Sequence, residues 1–188
     1  MKNKYFLLRH GETLSIKKNL ISCWPERFHN PLTPKGLEEA QKAAGELKKK
    51  KIDLIFFSDL LRTKQTAEIV GKKLKIDPIY EKRLREVNVG KLNGAPIAEF
   101  RKFFKGRMER FTKKLPGGEN NNDIRERMYK FFQDLEKKYS GKRILLVSHQ
   151  LPFVLLEAKI RGLDDKKTID SYKEMSLELG KWKELKDN

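Results

Sequence analysis

Four side chains in this sequence are of types that handle phosphoryl groups: Arg9, the adjacent His10, Arg62 and His149. A guanidinium holds phosphate oxygens two at a time, and an imidazole can attack phosphorus. Arg9 and His10 follow directly on the apolar run YFLL at 5–8, and His149 follows RILLVS at 143–148. Arg62 stands a few residues after IDLIFFS at 52–58. Each run reads as a strand, and open α/β sheets bind ligands at the carboxyl ends of their strands. The four groups can therefore meet at one edge of a sheet, where a tetrahedral dianion would be the partner of otherwise unpaired cations. Taken singly, each has a plainer reading. The arginines would serve as structural ion pairs or solvated surface, and the histidines as satisfied strand-end residues.

The remaining elements are those needed to position such a cluster. Residues 11–31 lack a period, contain two prolines and read as a long loop. Thr33 and Pro34 give an N-cap and a first-turn proline for a helix to about residue 50, with Leu37, Ala40, Ala44 and Leu47 on one face. Asp59 is expected to cap a helix that runs to Val70 and ends at Gly71. Residues 76–80, interrupted by Pro78, suit a short edge strand, and 84–94 reads as loop. Phe100, Phe103, Phe104, Met108 and Phe111 recur at helical spacing, which predicts packing rather than a substrate platform. Further helices are expected over 123–139 and 151–158, and MSLEL at 175–179 alternates as a last edge strand. Strand–helix alternation predicts a single domain over residues 1–188, an α/β fold with three α/β/α layers and a mostly parallel mixed sheet.

The 188 residues carry 43 basic and 26 acidic side chains, a net charge of +17, which suits anionic ligands without choosing among them. The lysines are scattered over helices and loops with no zinc finger or aromatic RNA-binding pattern, which argues against nucleic acid as the main partner. Cys23 is the only cysteine, so no internal disulfide exists, and three histidines with one cysteine give no zinc spacing. No stretch has the apolar length of a membrane span. A cytoplasmic protein without a metal or cofactor is the expectation.

Five segments together, LLRHGET at 7–13, SDLLRTKQTAEI at 58–69, LREVNVGKLNG at 84–94, LPGGE at 115–119 and VSHQ at 147–150, resemble the histidine phosphatase superfamily in its phosphoglycerate mutase-like branch. The resemblance covers about residues 4–155. It implies that His10 is the nucleophile, that Arg9 and Arg62 clamp the phosphoryl group, and that His149 donates to the same oxygens. Glu86 matches the acid that protonates the leaving oxygen, with Glu81 and Glu99 nearby in sequence as alternatives.

One position departs from the family pattern: the asparagine found in many members seven residues after the arginine is Ile16 here. Asn19, the Thr13 hydroxyl or loop amides are the candidates to replace its contact. Gly11 either allows close ligand approach or permits a turn, Trp24 could border the pocket, and Glu119 could line it. The compact length favours phosphomonoester hydrolysis on a small phosphorylated substrate, by a monomer or homodimer. Mutase-type phosphoryl transfer and a noncatalytic anion- or nucleic-acid-binding role are the alternatives.

Overall fold

A computed structural model describes residues 1–186. Five strands, β1 (Lys4–Arg9), β2 (Leu54–Phe57), β3 (Ile79–Tyr80), β4 (Arg143–Ser148) and β5 (Trp182–Leu185), form one sheet in the order β3-β2-β4-β1-β5. All neighbours are parallel except β5, which runs antiparallel to β1. Successive side chains of a strand point to opposite faces, and both faces are apolar. Tyr5, Leu7, Ile144 and Leu146 face a core completed by Ile124, Met128, Phe131 and Phe153 of helices α5 (Asn121–Lys138) and α6 (Gln150–Ile160). Phe6, Leu8, Leu145 and Val147 face Ala43, Ala44, Leu47, Ala67 and Val70 of α2 (Pro34–Leu47) and α3 (Leu61–Leu74). This is the three-layer α/β/α sandwich with a mostly parallel sheet, and it explains why β1 and β4 read as unbroken apolar runs.

The long loop after β1 includes one short helix, α1 (Leu14–Lys17), and the segment before α5 contains α4 (Ile97–Phe103). Two short helices, α7 (Asp165–Asp170) and α8 (Tyr172–Met175), follow α6.

Several sequence expectations are corrected here. Asp59 does not cap α3; Leu60 occupies that position, and Asp59 binds Arg85 and Tyr80 instead. Helix α3 passes through Gly71 and stops only at Lys75, whose φ of 60° is left-handed. Gly71 is needed inside the helix because a Cβ there would lie 2.6 Å from the carbonyl oxygen of Ile76 as the chain doubles back. The aromatic stretch is α4 followed by a 3₁₀ turn at Met108–Phe111, with Phe104 stacking edge-on against Phe100 and Phe103. MSLEL is not a strand. Met175 ends α8 and packs on Val154 and Ala158, Leu177 enters the core under β1, and the edge strand is WKEL.

The start of α2 is packed backbone to backbone against the chain leaving β1. A Cβ on Gly11 would sit 2.3 Å from the Gly36 carbonyl oxygen, and one on Gly36 would sit 2.2 Å from that of Glu12. Gly11 is therefore required for this close backbone approach. Gly36→Ala is expected to destabilise the fold by about 2–3 kcal/mol, since backbone must move to admit the methyl group. Urea unfolding of the variant checks this, and an unchanged midpoint would count against the tight seam.

Candidate active site

The carboxyl ends of β1, β2 and β4 lie side by side, and each delivers part of one cluster. His10 follows β1 and its N–H donates to the Ser148 carbonyl at 3.2 Å, next to the end of β4. His149 is the next residue of that strand and the N-cap of α6. Arg62 stands in the first turn of α3, just after β2. All three are buried, with exposures of 4% for His10, 3% for Arg62 and 0% for His149.

His10 Nδ1 lies 2.8 Å from the Gly11 carbonyl, which can only accept, so Nδ1 carries the proton. The lone pair on Nε2 then faces the Arg62 Nε–H, which donates to it at 3.2 Å. Burial, followed by the charges of Arg62 and Arg9, holds the imidazole well below the usual histidine value of 6.5. The result is a neutral ring of one tautomer with the lone pair of Nε2 directed at a cation-lined space.

A hydroxyl chain fixes the second histidine. Thr63 Oγ1 lies 2.7 Å from the Leu60 carbonyl and 2.8 Å from that of Ser58, and spends its one proton there. It therefore accepts from Ser58 Oγ at 2.7 Å, leaving Ser58 Oγ to accept from His149 Nε2–H at 2.9 Å. His149 Nδ1 is turned to Arg62 Nη2 at 3.3 Å. Burial and the neighbouring Arg62 and His10 keep this ring neutral too, since they hold its pKa well below the ordinary value.

Arg62 is the hub, because Nη1 and Nη2 also donate to the Ser22 hydroxyl and carbonyl at 3.2 and 3.0 Å. Its nearest carboxylate, Glu26, is 3.5 Å away. Arg9 spends Nη1 on the Gln150 side chain and the Leu177 carbonyl, while its Nε is buried with no hydrogen-bond partner among the described residues.

Glu86 reaches the cluster on the segment after β3. Ser148 Oγ donates to the Leu84 carbonyl at 2.5 Å, which pins this segment to the end of β4. Burial raises the Glu86 carboxyl above the usual 4.5, opposed by the Val87 N–H and by Arg62, Arg9 and Arg127. Glu119 holds the same segment from the other side, pairing with Arg127 at 2.8 Å and accepting from the Asn88 N–H at 2.9 Å.

Around these groups lies a cavity of about 200 Å³ lined by Arg9, His10, Arg62 and Glu86 together with Ser15, Ile16, Ser22 and Cys23. Burial pushes the Cys23 thiol up to about 11, so it is a poor nucleophile there. Ile16 lines the cavity, but neither Thr13 nor Asn19 does. Thr13 is buried and bonds the Ser15 hydroxyl at 3.1 Å. Asn19 is exposed and adopts a left-handed φ of 52°, turning the chain after α1.

The polar groups that do face the cavity from this loop are Ser15 and Ser22, both organised by the fully buried Asn30, whose Nδ2 donates to their hydroxyls at 2.9 and 3.0 Å. Sequence reasoning missed these three, because serines and asparagines in an aperiodic loop carry no spacing signal. Trp24 stacks on Arg85 at 4.2 Å and borders a neighbouring cleft with Glu86 and Glu119 instead.

Residues 5–180 match the family model for the histidine phosphatase superfamily, branch 1. A relative from Escherichia fergusonii, "Probable phosphoglycerate mutase GpmB", is 34% identical over 163 residues, 84% of this chain and 74% of that one. The alpha-ribazole phosphatase from Shigella flexneri superposes with a TM-score of 0.81 at 25% identity, covering 98% of this chain and 91% of that one. A mycobacterial glucosyl-3-phosphoglycerate phosphatase shares the fold with a TM-score of 0.82 at 23% identity, over 97% and 90% of the two chains.

Proposed function

This chain belongs to the histidine phosphatase superfamily, branch 1, and on that premise we propose how its residues divide the work. It is a phosphomonoesterase of the histidine phosphatase type, acting through a phosphohistidine intermediate on a small phosphorylated substrate. The observation that carries the assignment of roles is the His10 ring, neutral, with Nε2 presented to the Arg62 guanidinium at 3.2 Å.

In the proposed cycle the dianion takes over the Arg62 Nε–H, together with the unpartnered Nε of Arg9, and frees the His10 lone pair. The Nε2–P bond forms as the ester P–O bond breaks, and Glu86 gives its proton to the departing oxygen. Its raised pKa favours the protonated form that this step needs. His149, taking a proton from solvent at Nδ1 as the charge of the dianion favours its cationic form, donates to a nonbridging oxygen where charge is greatest. Ser22 supplies a hydroxyl contact on the side where Ile16 offers none. In the second half, Glu86 takes a proton from water as its oxygen attacks phosphorus and the P–N bond breaks, which releases phosphate and restores His10. Positioning and charge stabilisation suffice for such a transfer.

Hydrolysis is favoured over mutase turnover by the likeness to the alpha-ribazole phosphatase from Shigella flexneri, which covers 98% of this chain. The name of the Escherichia fergusonii relative supports the mutase as a second reading. We place the enzyme in the cytoplasm as a monomer or homodimer, with the whole chain as one such domain. Among the described residues no helix is long and apolar enough to cross a membrane.

The test is a panel of phosphomonoesters that includes 3-phosphoglycerate with trace 2,3-bisphosphoglycerate, following phosphate release and isomerised product together. Acid-labile, base-stable phosphoprotein is trapped in parallel from wild type and His10→Ala. Release that requires His10, with phosphoprotein only in the wild type, is expected. Isomerisation exceeding release would transfer the assignment to a mutase, and turnover that survives in His10→Ala would remove the proposed nucleophile.

A further inference from the structure

A second cavity, of about 270 Å³, adjoins the phosphate site and shares Glu86, Val87 and Phe100 with it. Its apolar walls include Phe100, Phe104 and Leu151, and Arg107, Arg110, Asn121 and Tyr172 are among its polar members. We propose that this cavity receives the leaving group of the substrate, and that the substrate is the phosphomonoester of a planar aromatic alcohol carrying a carboxylate that Arg110 binds. The inference rests on the phosphomonoesterase reading and deepens it.

Three observations support it. The shared wall contains Glu86, so a leaving oxygen placed to take the Glu86 proton has its organic part directed into this second space. The volume exceeds the roughly 150 Å³ that admits a benzene ring, and the apolar walls would leave the hydroxyls of a sugar or glycerate without partners. Two of the polar side chains are committed elsewhere: the Thr168 hydroxyl donates to the Asp164 carbonyl at 2.7 Å, and Glu119 is held by Arg127.

Arg110 is different. Its guanidinium lies over the rings of Phe100 and Phe104, at 5.2 and 5.6 Å, and its Nε is buried with no hydrogen-bond partner among the described residues. Burial and the nearby Arg107 bear on that cation, and no carboxylate of the described residues pairs with it. A planar cation stacked on aromatic rings and lacking an anion matches a planar acid entering along the same faces.

The experiment is calorimetric binding of three nonhydrolysable probes, methylphosphonate, benzylphosphonate and 4-carboxybenzylphosphonate, to the wild-type enzyme, Arg110→Met and Ile169→Trp. Ile169 lines the cavity away from the histidines, and its replacement by tryptophan fills the space. Benzylphosphonate is expected to bind about tenfold more tightly than methylphosphonate, and the carboxylate to add about another tenfold. Arg110→Met should erase the second gain alone, and Ile169→Trp both, while methylphosphonate affinity stays near wild type in each.

Equal affinity for all three probes in the wild type would overturn the proposal. A carboxylate gain that survives Arg110→Met would overturn the role of Arg110. Hydrolysis of 4-carboxybenzyl phosphate by wild type and His10→Ala separates the two readings. Tight aromatic binding without His10-dependent hydrolysis defeats the catalytic assignment alone, and hydrolysis without aromatic preference defeats this one alone.

Discussion

Replacing Arg62 by methionine is expected to lower kcat/KM for any phosphomonoester by about a thousandfold while the melting temperature stays level or rises. The kinetic loss follows from position. One guanidinium holds His10 Nε2, His149 Nδ1 and both oxygens of Ser22, so its removal takes away an oxygen clamp and the alignment of both imidazoles. The stability expectation follows from charge. Arg62 is buried beside two histidines and Arg9, with Glu86 acting on it at longer range and its one ion pair, to Glu26, at 3.5 Å, and a buried cation whose desolvation outweighs these charges can be exchanged for an apolar side chain with little cost to the fold. Arg62→Lys keeps the charge and loses the fork, so it should still cost about a hundredfold. Steady-state kinetics with differential scanning calorimetry checks both halves. A melting temperature many degrees lower in Arg62→Met would show that Arg62 serves the fold first and catalysis second.

The pH dependence of kcat/KM should carry the opposite shifts of His10 and Glu86. The His10 pKa lies below its ordinary value, so the nucleophile is neutral already at mildly acidic pH and is lost only on further acidification. The Glu86 pKa lies above its ordinary value, so the proton needed by the leaving oxygen is lost as pH rises through that raised value. Activity should therefore decline on the alkaline side, and Glu86→Gln should flatten that decline while cutking the maximum for a simple alkyl phosphate by about a hundredfold or more. The same change should harm a nitrophenyl phosphate far less, because its leaving group departs without a proton. Profiles of both esters from about pH 5 to pH 9 provide the measurement. Equal losses on the two esters would mean that Glu86 positions the site and does not supply the proton.

How much of this could be read in advance differs by element. Strand β4 is found at the residues expected, 143–148, because an interior strand buried on both faces leaves an unbroken apolar run. The last strand was not legible: WKEL is a two-sided edge with two charged residues, while MSLEL alternates for an unrelated reason, as Met175 and Leu177 fall into separate cores. Arg9, His10, Arg62 and His149 could be placed together because each stands at or shortly after the end of a strand. Ser22, Ser15 and Asn30 could not, since their arrangement depends on the three-dimensional course of a loop that has no period. The phenylalanines of the 100–111 stretch suggested core by their spacing, and Phe111 is indeed core. Periodicity reports that a side chain leaves water, and both a core and a cavity wall satisfy that condition.

The placement of β1 between β4 and β5 bears on how the protein is made. Both neighbours of β1 come much later in the chain than β1 itself, from residues 143–148 and 182–185. At a usual translation rate the YFLL segment therefore waits on the order of ten seconds without a hydrogen-bonding partner on either side. Until then the nascent chain has an unpaired apolar edge to be sheltered and no assembled phosphoryl chemistry, so β4 and the His149 that follows it must be made before the enzyme can act on any metabolite around it.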